Sequence, residues 1–219
     1  MSVSLDIDSL LTLMRAYYPS GIDAEDPRYR QTEQAKRLKA LMDGMARAMG
    51  ARDMLTDGLA PVPDEVLELG ATVAAFGAWP SFVQRLRDEF PDCKVWDKTV
   101  PWYDPSYVCQ ISWPNGEYGE SARDAVVGVL SLLAPVYAIF GVRQAGQREH
   151  WMRFPPLPGD FQIREAQLAS LIETEFGFVR LDNDTLTVPM GDLVPSDGNL
   201  VLGEARLVDC LLTTERPVE

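Results

Sequence analysis

The chain has 219 residues, 46% hydrophobic and 24% charged, with 20 Lys and Arg against 33 Asp and Glu and a formal net charge of −13. This composition belongs to a globular chain with a real core, not to a disordered, collagenous or many-span membrane protein, and at this length folding requires neither disulfides nor a metal. The acidity argues against a nucleic-acid binder, because phosphate neutralisation by Lys and Arg dominates that kind of affinity.

Residues 1–8 carry Asp6 and Asp8 but no basic or long apolar stretch, so no secretory signal is expected and a cytoplasmic protein is inferred. Leu5, Ile7, Leu10, Leu11, Met14, Tyr17 and Tyr18 then fall at helical spacing, and Pro19-Ser20-Gly21 ends the run. A second helix is predicted with Asp26 as its cap, Pro27 in its first turn, a stripe of Leu38, Leu41, Met42, Met45 and Met49, and Gly50 at its end. Val66, Leu69, Val73 and Phe76 predict a third. Trp79-Pro80 should close it, with Ser81 capping a fourth that carries Phe82, Val83, Leu86 and Phe90.

The middle of the chain changes period. Tyr107, Cys109, Ile111 and Trp113 alternate with Val108, Gln110 and Ser112, as in a strand with one apolar face, and Asn115-Gly116 follows as a turn signal. Trp96, Trp102, Tyr103, Tyr107, Trp113 and Tyr118 crowd this stretch, which fits cross-strand packing better than a stacking platform for a ligand. Residues 125–142 carry no charge and are bounded by Asp124 and Arg143. As a helix the run would measure about 27 Å, just short of the roughly 30 Å apolar layer of a bilayer. Pro135, Gly128, Gly141 and the many β-branched residues instead predict two buried strands.

Beyond the connector Phe154-Pro-Pro-Leu-Pro-Gly159, Asp160 should cap a helix with the stripe Ile163, Leu168, Leu171, Ile172 and Phe176, ending at Gly177. Residues 178–181 and 186–188 are expected to be short strands joined by Asp182-Asn183-Asp184-Thr185, and Leu207, Val208, Leu211 and Leu212 predict a closing apolar element.

Phosphate-loop, dinucleotide, zinc-helix and nucleophile-elbow signatures are absent from the sequence. Cys93, Cys109 and Cys210 are widely spaced, without a C-x-x-C pair, and Cys109 on an apolar strand face reads as buried rather than nucleophilic. His150 is the only histidine, and it reads as a packing or surface residue. Asp182-x-Asp184 could hold a hard cation through oxygen ligands, but turn chemistry accounts for the same residues. Glu117 with Glu120, and Glu173 with Glu175, are the remaining candidate acid–base pairs. No catalytic residue, metal or cofactor is therefore assigned.

Charge is uneven along the chain. Residues 93–158 are neutral, whereas residues 159–219 hold 12 acids against 4 bases. In that same region Phe154-Pro-Pro-Leu-Pro-Gly-Asp-Phe161, Leu171-Ile-Glu-Thr-Glu-Phe-Gly-Phe178 and Gly203-Glu-Ala-Arg-Leu-Val-Asp-Cys-Leu-Leu212 resemble uncharacterised bacterial immunity proteins, which are typically found beside secreted or contact-delivered toxins. The resemblance covers the C-terminal third and transfers no catalytic residue. It implies a non-catalytic cytosolic protein that binds and neutralises one cognate toxin. A basic toxin, for instance a nuclease, would find electrostatic complementarity in Asp182, Asp184, Asp192, Asp197, Glu204 and Asp209, the expected partner-binding residues. Competing readings are a carboxylate-dependent hydrolase or transferase, with or without a divalent metal, and a structural or adaptor subunit. The expected fold is α+β. One domain spans residues 1–219, with 1–92 mainly helical and packed on a mostly antiparallel sheet, plus one or two helices, from 93–219.

Overall fold

In a computed structural model, residues 6–49, 71–101, 103–115, 122–145, 149–195 and 200–213 are described. Helix α1 spans Ile7–Tyr17, starting from Asp6, whose carboxylate accepts from the Ser9 N–H. Helix α2 spans Glu33–Ala48 and starts later than the sequence predicts. Asp26 accepts from the Arg28 N–H and pairs with the Arg28 guanidinium instead of capping the helix, and a 3₁₀ turn at Tyr29–Gln31 intervenes. Thr32 takes the capping role, its hydroxyl oxygen accepting from the Ala35 N–H at 3.2 Å. Leu38, Leu41, Met42 and Met45 are buried as expected, whereas Gly50, Val66 and Leu69 lie outside the described residues.

Helix α3 runs unbroken over Ala71–Glu89 with Pro80 inside it, so the predicted boundary and the Ser81 cap are both overturned. A proline inside a helix removes one hydrogen bond and costs about 3 kcal/mol. Burial of the adjacent Trp79 offsets that cost: its ring stacks on Tyr107 at 4.7 Å between centroids and its Nε1–H donates to Asp97.

Strands β1 (Lys94–Asp97), β2 (Ser106–Pro114), β3 (Arg123–Ser131), β4 (Val136–Ala145) and β5 (Glu149–Arg153) lie side by side in chain order, each antiparallel to the next. The reversal predicted at Asn115 begins there, with the Asn115 N–H donating to Ala122 O, and Gly116 lies outside the described residues. The uncharged run does form two buried strands. Between them the Ser131 hydroxyl oxygen accepts from the Leu133 and Ala134 N–H groups, and Pro135 completes the turn. Among the described residues, no helix is long and apolar enough to cross a membrane.

Helix α4, Gly159–Phe176, crosses β3 and β4. Two strand glycines make room for it. A Cβ on Gly128 would meet Leu168 at 3.2 Å, and one on Gly141 would meet Phe161 at 3.2 Å. The buried stripe of α4 is Phe161, Glu165, Leu168, Leu171 and Ile172. Ile163, predicted in that stripe, is 73% exposed, because two residues of helix turn it about 200° from Phe161.

Gly177, at φ 67°, ends α4 and returns the chain as β6, Val179–Arg180, parallel to the start of β4. The predicted strand at 186–188 is not formed. Asp182 caps a single helical turn, α5 (Asn183–Leu186), and the closing element is helix α6, Leu207–Leu211. Helices and a mostly antiparallel sheet therefore make an α+β fold whose helical N-terminal residues share one hydrophobic core with the sheet and the last helix. Two buried tyrosines tie this arrangement together: the Tyr18 hydroxyl donates to Cys210 O and the Tyr29 hydroxyl to Val194 O.

Candidate functional site

A cleft of about 720 Å³ forms where the connector Pro155–Leu157, the α4 flank of Gln162, Glu165 and Ala166, Ile139 of β4, Arg180 with Leu181, and α5 meet. Its architecture follows from local chemistry. Periodicity puts Glu165 on the buried face of α4, one turn after Phe161. The left-handed Gly177 then folds β6 back, and Arg180 donates to Glu165 Oε1. A carboxylate at a core position is costly without a partner, and Arg180 supplies one.

The rest of the cleft is held by amide side chains. The Asn183 Nδ2–H donates to Pro155 O, and the Gln162 Nε2–H donates to Leu157 O at 2.8 Å, so the proline-rich connector is fixed at both ends. Behind the ion pair, Tyr137 on β4 is the register partner of Arg180, and its hydroxyl donates to Glu173 Oε1 at 2.7 Å. Burial raises the pKa of the Tyr137 phenol, and the hydrogen bond to Glu173 raises it further. Ile139, Leu157, Leu181 and Leu186 give the cleft an apolar lining.

The expected partner-binding residues do not converge on one site. Asp182 and Asp184 lie together at the cleft, both exposed. The Asp182 carboxyl is held below its ordinary value by the Thr185 N–H it accepts from. Asp192 turns toward α1, where it accepts from the Ser20 hydroxyl and lies 3.5 Å from Arg15. Glu204 is exposed and accepts from the Val201 N–H, while Asp197 lies outside the described residues.

Asp209 is a correction. It is fully buried, and its Oδ2 accepts from the Arg206 N–H at 2.7 Å in the capping box of α6, so it is a cap and not part of a binding face.

The candidate acid–base pairs also separate. Glu173 is engaged by Tyr137 and Glu175 by Arg85, whereas Glu117 and Glu120 lie outside the described residues. Among the described residues no group of His, Cys, Asp and Glu could hold a metal ion, and Asp182 is used as a cap. His150 sits opposite Gln144 on the β4–β5 ladder. Cys109 is buried, its thiol donating to Gly128 O and pushed up to about 12 by that burial. Of the aromatic cluster, Tyr107 and Trp113 are buried, Trp96 and Tyr103 are exposed, and Trp102 and Tyr118 lie outside the described residues.

Sequence reasoning missed Glu165 and Arg180. The available signal was a glutamate falling in register with Phe161, Leu168 and Ile172 on an otherwise apolar stripe.

A second ion pair lies beside the first turns of α4. Asp124 and Arg143 bound the uncharged run and are register partners on β3 and β4. Arg143 donates twice to Asp124, from Nε at 2.8 Å and Nη2 at 2.7 Å, and Asn115 Nδ2 donates to the same carboxylate at 2.8 Å. The Arg143 guanidinium lies 5.3 Å from the Trp151 ring and 5.5 Å from that of Phe161, and Arg164 lies 4.2 Å over Trp113. Compared with known proteins, the chain matches no family model, no curated protein and no solved structure.

Proposed function

We propose that this chain is a cytosolic immunity-type protein that binds and blocks a cognate toxin without catalysing a reaction. The observation that supports the reading is the state of its exposed acids. Asp182, Asp184 and Glu204 are exposed and make no ion pair with the described residues, and they belong to the segment 159–219, which holds 12 acids against 4 bases. Uncompensated surface carboxylates add little to stability and much to the encounter with a basic partner, whose association they accelerate in a salt-dependent way. A toxin that grips phosphate carries such a basic surface.

The test is co-expression with the protein encoded by the adjacent gene. The wild-type chain should restore growth and co-purify with that protein. Charge reversal at Asp182, Asp184 and Glu204 together should slow association and flatten its salt dependence. Absence of both rescue and co-purification would overturn the proposal.

A further inference from the structure

The Asp124 carboxylate is satisfied from two neighbours at once. It takes two hydrogen bonds from Arg143 and a third, at 2.8 Å, from the Asn115 side-chain amide. Both Asp124 and Asn115 are buried, and the Asn115 backbone N–H is itself held by Ala122 O at 3.1 Å. Of the three asparagines in the chain, Asn115, Asn183 and Asn199, Asn115 alone precedes a glycine. Asparagine is among the thermolabile residues, and a following residue without a Cβ gives the least hindrance to attack by its backbone nitrogen. The asparagine with the most reactive sequence is therefore the one whose amide completes a buried charged network.

We propose that Asn115 is a deamidation site guarded by the fold, and that its conversion breaks the Asp124–Arg143 network. In the reaction the backbone nitrogen of residue 116 bonds to Asn115 Cγ, its proton passing through solvent to the departing side-chain nitrogen. The Cγ–Nδ2 bond breaks and ammonia leaves. Water then adds to one carbonyl of the resulting succinimide and breaks that carbon's bond to the ring nitrogen, which takes back a proton. Cleavage at Cγ leaves aspartate, and cleavage at the main-chain carbonyl leaves isoaspartate. In sum, one amide and one water become one carboxylate and one ammonium. While the chain is folded, the amide is bonded across to β3 and is not free to turn onto the backbone ahead of it, so the reaction waits for this end of the sheet to open. After conversion a donor has become an acceptor. Two carboxylates then stand within hydrogen-bond distance, repel each other and compete for the Arg143 guanidinium. A chain that stays open long enough is thus marked, and it recloses on a weakened network.

The experiment incubates the full chain in mildly alkaline buffer with and without denaturing guanidinium chloride. Mass spectrometry of the peptide holding Asn115 follows the mass gain of an amide turned acid. In denaturant, conversion at Asn115 should outrun that at Asn183 and Asn199, and in the native chain it should be at least about tenfold slower than in denaturant. Asn115→Asp should lower the urea midpoint. Adding Asp124→Asn, which restores one carboxylate and one amide, should recover part of that loss. If Asn115→Asp does not fold, recovery of folded protein on adding Asp124→Asn is the equivalent readout. Equal conversion with and without denaturant, an unchanged midpoint in Asn115→Asp, or no recovery on adding Asp124→Asn would each overturn the proposal.

Discussion

The two carboxylate–guanidinium pairs beside α4 use the same chemistry to opposite ends. Asp124–Arg143 is closed: the carboxylate is 1% exposed, accepts three charge-assisted or amide hydrogen bonds, and faces a guanidinium walled by Trp151 and Phe161. Glu165–Arg180 is open on one side, with its arginine side chain 31% exposed toward the cleft. A closed pair contributes little beyond what an apolar substitute would, but breaking it strands a buried charge; an open pair lets water absorb the loss. Saturation of hydrogen bonds thus separates a structural pair from one placed at a site.

The largest effect should come from the closed pair. Asp124→Ala leaves Arg143 buried without its partner and should cost about 3–5 kcal/mol, read from the urea midpoint. A loss below about 1 kcal/mol would erase the distinction between the two pairs. Glu165→Gln should cost only about 1 kcal/mol, since Arg180 can turn to solvent, while shifting backbone resonances around the cleft. Equal destabilisation by the two variants would break the comparison. The closed side also predicts thiol behaviour: Cys109 and Cys210 are buried with raised pKa values, so native protein at pH 8 should expose only the half-buried Cys93 to a disulfide reagent, and all three after denaturation.

The smallest effect is electrostatic and belongs to the open side. The folded-state pKa of Asp182 lies below its unfolded value near 4, so the cap contributes fully above that pH and is lost as pH falls through the folded value. The stability difference between wild type and Asp182→Asn should therefore be constant above about pH 5 and change only below about pH 4. A difference that varies between pH 6 and 8 would contradict it.

Much of the sheet was legible because period and punctuation agreed. Tyr107 to Trp113 alternate cleanly, and Pro135 with Ser131 divides one apolar run into two strands. The failures share a cause, which is tertiary contact overriding a local signal. Pro80 reads as a helix end until Trp79 is seen stacked on Tyr107. Asp26 before Pro27 reads as a cap until Arg28 is seen taking its carboxylate, which that pairing and the Arg28 N–H hold down to about 2. Asp209 reads as surface charge because a lone acid in an apolar element is placed on its outer side by default, whereas here it is buried and caps the helix through the Arg206 N–H. Of the candidate site, the sequence exposed Asp182 and Asp184 but not the Glu165–Arg180 pair, whose meeting depends on the turn at Gly177.

The hydroxyl of Tyr18 reaches the backbone of Cys210 across a separation of 192 residues. During synthesis at about 5–20 residues per second, the first helix therefore waits some 10 to 40 s for its last partner to be made. Throughout that interval Leu10, Met14 and Tyr17, all buried in the finished molecule, lack the contacts that α6 will bring. Nascent chains of this protein should thus depend on chaperone protection at their N-terminal end, and a pause late in translation should prolong that dependence more than one early on.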